Sequence, residues 1–411
     1  MSAPADVRHA VEAVWRIESA RIVGTLARFT GDFALAEDLA QEALAEALVG
    51  WPRDGVPRNP GGWLLTVGRR RAIDAFRRRE ALDERYAVLA RDVEPPQWDP
   101  DRVDDDVLAL MFISCHPVLS REAQVALTLR VLGGLTSDEI ARAFLVPTAT
   151  VQARITRAKK TLGAARVPFE VPSPEDARDR LGSVLSVLYV VFTEGSTATH
   201  GSDLIRPDVA REAIRLARVL TRLVPDEPEV QGLLALLELT AARFPARLGP
   251  DGEPVLLEDQ DRRRWDRAAI RRGRAALVRA GTVGRGLGAY GVQAAIAECH
   301  AVAGSVDDTD WERVVLLYEA LSRLAPSPVV ELNRAVAVSM ASGPAAALRL
   351  VDDLVAAGAL VDSHLLPSVR GELLRRLGRT DEARDSIALA VRLCRNEREQ
   401  HLLRGKLAAL G

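Results

Sequence analysis

Residues 135–162, which read LTSDEIARAFLVPTATVQARITRAKKTL, constrain the fold of this chain more than any other segment. Thr136 and Glu139 have the spacing of a capping box, in which threonine caps a helix start and glutamate reaches back to it. Leu145–Val146 can form a turn, and Pro147 suits the first turn of a following helix, where a missing N–H costs nothing. The segment therefore predicts two short helices joined by a tight turn.

The second predicted helix has one apolar face and one polar face. Its apolar residues recur at i, i+4, i+7 and i+11 and predict a buried stripe: Val151, Ile155, Ala158 and Leu162. The opposite face carries Ala149, Gln152, Ala153, Thr156, Arg157 and Lys160. Between Arg142 and Arg166 there are six basic residues and no acid. This pattern is typical of a helix-turn-helix that places its second helix in the major groove of DNA. An ordinary helix hairpin with solvated charges is the alternative.

Side-chain chemistry suggests separate roles within that helix. Gln152 can pair with an adenine edge, and Ala153 can touch a thymine methyl. Thr148 or Thr156 can bond to either base. Long cations are better suited to phosphates, which fix the register on DNA without specifying sequence; these are Arg154, Arg157, Lys159 and Lys160.

Periodicity along the rest of the chain is helical, and no segment sustains the period-2 alternation of a hairpin strand. We therefore predict an all-α protein. Its 411 residues exceed the roughly 250–300 that one hydrophobic core can organise, so several domains are expected. The net charge of −2 means that any nucleic-acid surface must be local.

Three separated cysteines, none in a CxxC, predict neither a disulfide framework nor a zinc site, and a reducing cytoplasmic location fits. No apolar run approaches the roughly 20 residues that span a bilayer, and the charged first 30 residues do not resemble a signal peptide, so no membrane association is expected.

Two segments predict linkers. Residues 91–106 include seven acids and three prolines, which is a poor helix and a plausible solvated connection. Residues 167–174 hold three prolines. These segments divide the chain into modules 1–90, 107–166 and 175–411.

The first module contains an alanine stripe followed by a cationic helix. Alanines at 36, 40, 43 and 47 predict a buried face that leaves Glu37, Asp38, Gln41 and Glu42 largely outside. Residues 60–79 combine Trp63 with six arginines and one acid. The positive charge of the arginines can pair with phosphates, and the Trp63 ring can stack on bases. This combination suits the binding of single-stranded or melted DNA. Taken alone, the segment favours the other interpretation, an arginine-rich solvated helix with Trp63 in a core.

The order of these motifs resembles that of the extracytoplasmic-function group of sigma-70-type bacterial sigma factors, over roughly residues 10–166. In that family the first helices are region 2 and the helix-turn-helix is region 4. The resemblance implies core RNA polymerase as partner, through its β′ clamp helices and β flap, with Asp38, Gln41 and Glu42 docking on the clamp. It implies promoter DNA as the second partner, with region 4 reading the −35 element. Residues implied at the −10 element are Trp63, Arg69, Arg70, Arg71, Arg77 and Arg78.

Two positions depart from the family pattern. Many members have asparagine at the position of Arg70, which puts the base preference in doubt but not the role. The wider family often has glycine in the turn, where this chain has Leu145. The version AFLVP (143–147) is similar to a subgroup that carries a long C-terminal helical extension.

The third module contains imperfect helix-pair repeats. Gly371, Ala383 and Ala390 have the small-residue spacing of a tetratricopeptide repeat, and Ala335 and Ala347 repeat the 12-residue gap. Stacked pairs of this kind offer a concave surface for a protein or peptide partner. The polar segment 194–203, with His200, is either a contact site or a capped interhelical loop.

Three functions remain open at this point. The first is a sigma factor whose extension modulates it, and the second is a stand-alone helix-turn-helix regulator with a protein-interaction domain. The third is a scaffold with a vestigial helix-turn-helix. No phosphate loop, HExxH or Ser/His/Asp set is present, so we expect no catalytic residues, cofactor or metal and no enzyme activity.

Overall fold

The computed structural model consists of helices where the sequence shows helical periodicity. It describes residues 4–80, 100–144, 146–196, 207–249, 255–284, 286–394 and 396–410. Within these ranges there are α-helices and short 3-10 turns but no extended strand, as the all-α prediction expects. The helices up to residue 196 are α1 (Pro4–Thr30), α2 (Phe33–Asp54), α3 (Pro60–Glu80), α4 (Pro100–Ser114), α5 (Arg121–Val131), α6 (Ser137–Phe144), α7 (Thr148–Ala164) and α8 (Pro174–Ser196).

The later helices are α9 (Pro207–Leu223), α10 (Pro228–Ala241), α11 (Arg267–Thr282), α12 (Ala289–Val302), α13 (Trp311–Leu324), α14 (Pro328–Ala341), α15 (Pro344–Ala356), α16 (Leu365–Arg376), α17 (Thr380–Leu393) and α18 (Glu397–Ala408). The chain forms two units, Met1–Val190 and Val191–Gly411. None of the helices within the described ranges has the length and apolar character that a bilayer span requires.

Small residues let the first three helices pack closely. The alanine stripe of α2 is fully buried, as predicted: Ala36, Ala40, Ala43 and Ala47. A Cβ on Gly68 of α3 would come within 2.8 Å of Leu26 in α1, so glycine permits that close approach. At the start of α3, the Trp63 ring meets Trp51 edge-on, with centroids 5.5 Å apart. The bundle therefore fixes the orientation of both α2 and α3.

Helix α4 begins inside the segment that the sequence assigned to an acidic linker. Residues 100–106 form its first half, and residues 91–99 lie outside the described part of the structure. Asp106 is only 4% exposed and pairs with Arg28 of α1 at 3.3 Å. Residues 100–106 are therefore helical, and Asp106 packs within the fold, although Asp104 and Asp105 are exposed.

The helix-turn-helix has the local geometry that its sequence predicts. The Glu139 backbone N–H donates to Thr136 Oγ1 at 3.1 Å, and the Thr136 N–H donates to Glu139 Oε2 at 2.8 Å, which is a complete capping box. Pro147 stands at the N-cap of α7, and Leu145 lies outside the described residues. The predicted stripe is buried: Val151, Ile155, Ala158 and Leu162.

Helix α8 runs across the boundary between the two units. Ser183 donates its hydroxyl to the Cys115 carbonyl at 2.9 Å, and Gln124 donates to the same carbonyl at 3.0 Å. Residues 175–190, which the sequence grouped with the extension, therefore pack with the first unit.

The second unit is built from consecutive helices that pack on one another. The alanines that the repeat pattern singled out are fully buried: Ala335, Ala347, Ala383 and Ala390. A Cβ on Gly371 of α16 would lie 2.5 Å from Ile387 Cγ1 and 3.3 Å from the Ala383 carbonyl oxygen of α17. The small residues thus allow the close helix contact that the sequence predicts.

Substitution of Gly371 by alanine is expected to lower the free energy of unfolding of the second unit by about 1–3 kcal/mol, because the added methyl group overpacks the α16–α17 contact. Gly405→Ala is the matched control, since a Cβ there meets nothing within 4 Å and alanine favours the helix by about 0.5–1 kcal/mol. Denaturant titration with hydrogen exchange over α16 and α17 measures both. Equal stabilisation by the two alanines would contradict this account of Gly371.

Candidate nucleic-acid interface

The outer face of α7 is solvent-exposed and basic. The residues predicted to lie opposite the buried stripe are exposed: Ala149, Gln152, Ala153, Thr156, Arg157 and Lys160. Arg154 is half-buried. Gln152, Thr156 and Arg157 form no ion pair or side-chain hydrogen bond among the described residues, so their polar groups are available to a ligand such as a base edge or a phosphate.

Thr148, at the start of α7, is partly engaged. Its hydroxyl donates to Asp138 Oδ1 of α6 at 2.7 Å. The hydroxyl keeps its acceptor capacity, although its single donor proton is used. For the Thr148 hydroxyl to donate a hydrogen bond to a base, its hydrogen bond to Asp138 would first have to break.

Lys159 lies on a different side of α7 from the other cations. Its Nζ pairs with Glu37, and with Asp38 Oδ1 at 2.6 Å, and only 14% of the side chain is exposed. Burial would lower the pKa of Lys159, but the two carboxylates outweigh it and raise that pKa. In this arrangement Lys159 binds α2, so it is not presented as a phosphate ligand.

The prediction that Glu37 lies outside is wrong, because α7 covers it. Glu37 is 3% exposed and accepts from Arg130 Nε of α5 at 3.4 Å as well as pairing with Lys159. The alanine stripe describes only how α2 packs within its own bundle. Sequence reasoning missed the role of Arg130 and Glu37 because it depends on contact between two modules distant in the chain.

The arginines of α3 are divided between ion pairs and solvent. Arg70 donates to Glu46 at 2.9 Å. Arg71 donates to Glu42 at 2.9 Å and to Glu46 at 2.8 Å, and these hydrogen bonds raise the pKa of Arg71. The implied polymerase-docking residue Glu42 and the implied DNA-binding residue Arg71 therefore hold each other on adjacent faces of α2 and α3.

The remaining DNA-binding candidates on α3 differ in how exposed their side chains are. Arg77 is exposed, and the side chains of Arg78 and Arg79 lie outside the described part of the structure. Arg69 is half-buried, and burial together with nearby Arg28 lowers its pKa. Trp63 is half-buried and contacts Trp51 edge-on, so part of its side chain stays accessible.

The acidic face of α2 remains partly open. Asp38 has 64% of its side chain exposed despite its pair with Lys159, Glu42 is exposed, and Gln41 is half-buried. A row of this kind can meet a basic partner through electrostatic complementarity. The structure thus brings the docking candidates of α2 beside both DNA-binding candidates, α3 and α7.

Outside this interface, Cys115, Cys299 and Cys394 are free and buried. Burial raises the pKa of the Cys115 thiol to about 12, which leaves it protonated at neutral pH. Cys394 lies near His364 and Glu399, and the latter two pair with each other at 3.3 Å. The interhelical segment 194–203 and His200 fall largely outside the described residues.

Known families match the first unit and the start of the second. The profile of Sigma-70 region 2 matches residues 16–81, and that of Sigma-70, region 4 matches residues 109–162. A family of unknown function, DUF6596, matches residues 180–281. The two sigma-70 matches fall on α1–α3 and on α4–α7, the helices that carry the candidate residues.

Similar proteins agree with these matches. The chain is 44% identical over 398 residues to an uncharacterised protein of Rhizobium meliloti (strain 1021), covering 94% of this chain and 92% of the relative. It is 29% identical over 167 residues to a probable ECF RNA polymerase sigma factor, SigI, of Mycobacterium tuberculosis (strain CDC 1551 / Oshkosh), covering 39% of this chain and 57% of that protein.

The chain is also 28% identical over 155 residues to the ECF RNA polymerase sigma factor SigK of Mycobacterium sp. (strain KMS), which covers 36% of this chain and 77% of SigK. Both sigma-70 regions occur in the expected order on helices that expose the expected faces. The chain therefore belongs to the extracytoplasmic-function group of sigma-70-type RNA polymerase sigma factors and carries a C-terminal helical extension.

Proposed function

We propose that this chain directs core RNA polymerase to promoters through two DNA contacts, with α7 reading the −35 element and α3 binding the −10 element. The observation that carries the proposal is the exposed, acid-free face of α7 behind a complete capping box. Gln152 and Ala153 supply base contacts on this face, and Arg154, Arg157 and Lys160 supply phosphate contacts. The polymerase supplies the chemistry, and the sigma factor determines where it starts.

Docking on polymerase is assigned to Asp38, Gln41 and Glu42 of α2. Of these, Asp38 and Glu42 are exposed carboxylates that a basic clamp surface can pair with. Both already have partners within the chain, Lys159 and Arg71 respectively. We infer that polymerase competes for Asp38 with α7, so docking and release of α7 are coupled.

Co-purification and in vitro transcription with core polymerase test the assignment. The full chain should assemble with core enzyme and start transcripts at a new site, and the double variant Asp38→Arg with Glu42→Arg should lose both. Glu12→Arg is the control, because Glu12 is an exposed acid of α1 distant in sequence from this face. DNA binding by α7 without any polymerase assembly would favour the stand-alone regulator instead.

Gln152→Ala is expected to relax the preference at one base pair of the upstream element, with a loss of discrimination of about 1–3 kcal/mol at that position. Selection of binding sites from a randomised pool measures it. Arg157→Ala in the same assay should lower affinity for all sequences and keep the motif. A wild-type motif selected by Gln152→Ala would contradict the base contact.

The extension is proposed to modulate the sigma factor by binding a protein partner. Its helices form a groove of about 610 Å³, lined by apolar residues such as Val336, Met340 and Val369. The lining also carries three cations, Arg375, Arg376 and Lys406, against two acids, Glu258 and Glu372, so its net charge is positive by one. We therefore propose a polypeptide partner with apolar and acidic residues.

Transcription by the full chain should change when the extension is removed after Ser196, which keeps all of α8 and its contacts with Cys115 and Gln124. Met340→Glu in the full chain tests the groove without truncation, because it places an acid where the proposed partner also brings acids. Transcription in cells that is unchanged by both alterations would contradict a modulating role.

A further inference from the structure

Two arginines, Arg243 and Arg262, lie over one buried tryptophan in the second unit, and the charge of a third, Arg247, acts on Arg243. The Cζ atom of Arg262 lies 4.6 Å from the centroid of the Trp265 ring, and that of Arg243 lies 5.9 Å from it. Trp265 is 2% exposed. Burial, and then the neighbouring charges of Arg247 and Arg262, lower the pKa of Arg243 to about 10. The three guanidinium groups are therefore close enough to repel one another.

Within the described residues, this cluster lacks a matching set of acids. Arg262 Nη1 donates to the carbonyls of His300 at 2.6 Å and Ala303 at 2.9 Å, and Arg247 donates to the Ser196 carbonyl. Among the residues that the structure describes, none of the three arginines forms an ion pair. Two carboxylates act on the cluster from farther away, Asp308 on Arg262 and Glu399 on Arg247. The positive charge is therefore only partly balanced.

Several buried nitrogen atoms in the cluster have no hydrogen-bond partner in the part of the chain that the structure describes. They are Arg243 Nε, Arg262 Nη2, Trp265 Nε1 and His300 Nδ1, and Gln260 Oε1 nearby in sequence is also unpaired. Buried polar atoms are almost always hydrogen-bonded, and each exception requires an explanation, such as a bound ion. Burial, followed by Arg243 and Arg262, lowers the pKa of His300 to about 4, so its ring is neutral at pH 7.

We propose that Arg243, Arg247 and Arg262, with His300 and Trp265 beside them, form a binding site for the phosphate group of a small molecule. Guanidinium forks match phosphate oxygens with two parallel hydrogen bonds, and a multiply charged phosphate balances several cations where one carboxylate balances only one. The ligand would accept from the unpaired Arg243 Nε and Arg262 Nη2. This site goes beyond promoter recognition, since binding by the chain alone requires neither polymerase nor DNA.

Thermal unfolding and calorimetric titration of the full chain, in a buffer free of phosphate and sulfate, test the site. The probes are inorganic phosphate, ATP and succinate, with sodium chloride at matched ionic strength. At about 100 times Kd, phosphate or ATP should raise the Tm of the second unit by about 5–10 °C, and chloride should not. Stronger binding of ATP assigns the site to a nucleotide phosphate, and equal or weaker binding of ATP assigns it to free phosphate.

The Arg243→Gln variant distinguishes a binding role from a structural role, because the two roles predict opposite effects on the Tm of the chain without a probe. Without a probe it should raise or preserve the Tm, because it removes an unpaired, partly buried charge. With phosphate it should bind at least about 10-fold more weakly, since a charge-assisted hydrogen bond is lost. Arg264→Gln is the control, because Arg264 belongs to the same arginine triplet but is exposed, and it should bind like the wild type.

Arg243→Lys retains the positive charge and loses the two-pronged geometry of the guanidinium group. This variant should therefore fold, but it should bind phosphate more weakly than the wild type does. The proposal is overturned if phosphate and ATP stabilise the wild-type chain no more than chloride does. It is also overturned if succinate binds as tightly as phosphate, or if Arg243→Gln lowers the Tm without a probe and leaves phosphate affinity unchanged.

Discussion

Glu37→Gln is expected to lower the free energy of unfolding of the first unit by about 3 kcal/mol, which is the scale of breaking a buried ion pair by removing one partner. Glu37 is 3% exposed and holds both Lys159 of α7 and Arg130 of α5. The uncharged amide leaves Arg130 without its carboxylate and Lys159 with Asp38 alone. The cost arises because Arg130 stays partly buried and loses its counter-charge, while Lys159 loses one of two carboxylates.

Glu42→Gln is the matched control on the same helix. Glu42 pairs with Arg71, but 53% of its side chain is exposed, so water replaces the lost partner and the expected effect is below about 1 kcal/mol. Hydrogen exchange of peptides from α2, α5 and α7 in the full chain measures both variants, because it reports local opening without requiring two-state unfolding of two units. Equal protection in the two variants would show that the Glu37 pairs contribute little.

Charge reversal on the exposed face of α7, Arg157→Glu with Lys160→Glu, is expected to weaken DNA binding by about 100-fold or more at moderate salt. Each lost phosphate contact should also reduce the slope of log affinity against log salt by about 0.9. Both side chains are exposed, so the fold should tolerate the change. Titration of labelled promoter DNA with holoenzyme at several salt concentrations gives affinity and slope together.

The control for that experiment is Arg264→Glu with Arg271→Glu, which changes the net charge equally at exposed positions of the second unit. It should leave the salt slope near the wild-type value, because those residues are not on α7. An unchanged slope in the α7 variant would rule out phosphate contacts by Arg157 and Lys160. A scaffold with a vestigial helix-turn-helix predicts that outcome.

Together these variants address how the two sigma regions work within one unit. Lys159 and Asp38 bind each other, so a basic residue of the proposed DNA-reading helix is paired with an acidic residue of the proposed docking face. Loss of Glu37 weakens this contact without altering the exposed face of α7. We therefore expect that α7 in the Glu37→Gln variant keeps its base preference while its contact with α2 opens more often.

Local patterns predicted the helices and their buried faces well. The capping box at Thr136 and Glu139, the stripe of α7 and the alanines of α2 each depend on residues within a few turns of one another, and all have the expected hydrogen bonds or burial. Gly371 and Ala383 similarly indicated the close contact of α16 and α17. Side-chain size and helical period are sufficient for such inferences.

Contacts between distant segments were not predictable in the same way. The acidic run before residue 107 looked solvated, yet Asp106 is buried against Arg28. Arg262 is one of three consecutive arginines in the sequence, yet it lies over Trp265 beside Arg243, while Arg264 is exposed. A charge pattern does not reveal whether a charged residue faces water or a partner from another helix.

The amino-acid sequence by itself determined the helical class and the face that α7 exposes, because these follow from local periodicity and capping, and the order of its motifs indicated the two sigma regions through their resemblance to the family. Only the tertiary structure decided that Lys159 turns toward α2, that Glu37 is buried, and that Arg243 and Arg262 lie over one tryptophan. Those arrangements depend on which helices pack together, and a charge becomes buried, paired or unpaired only through that packing.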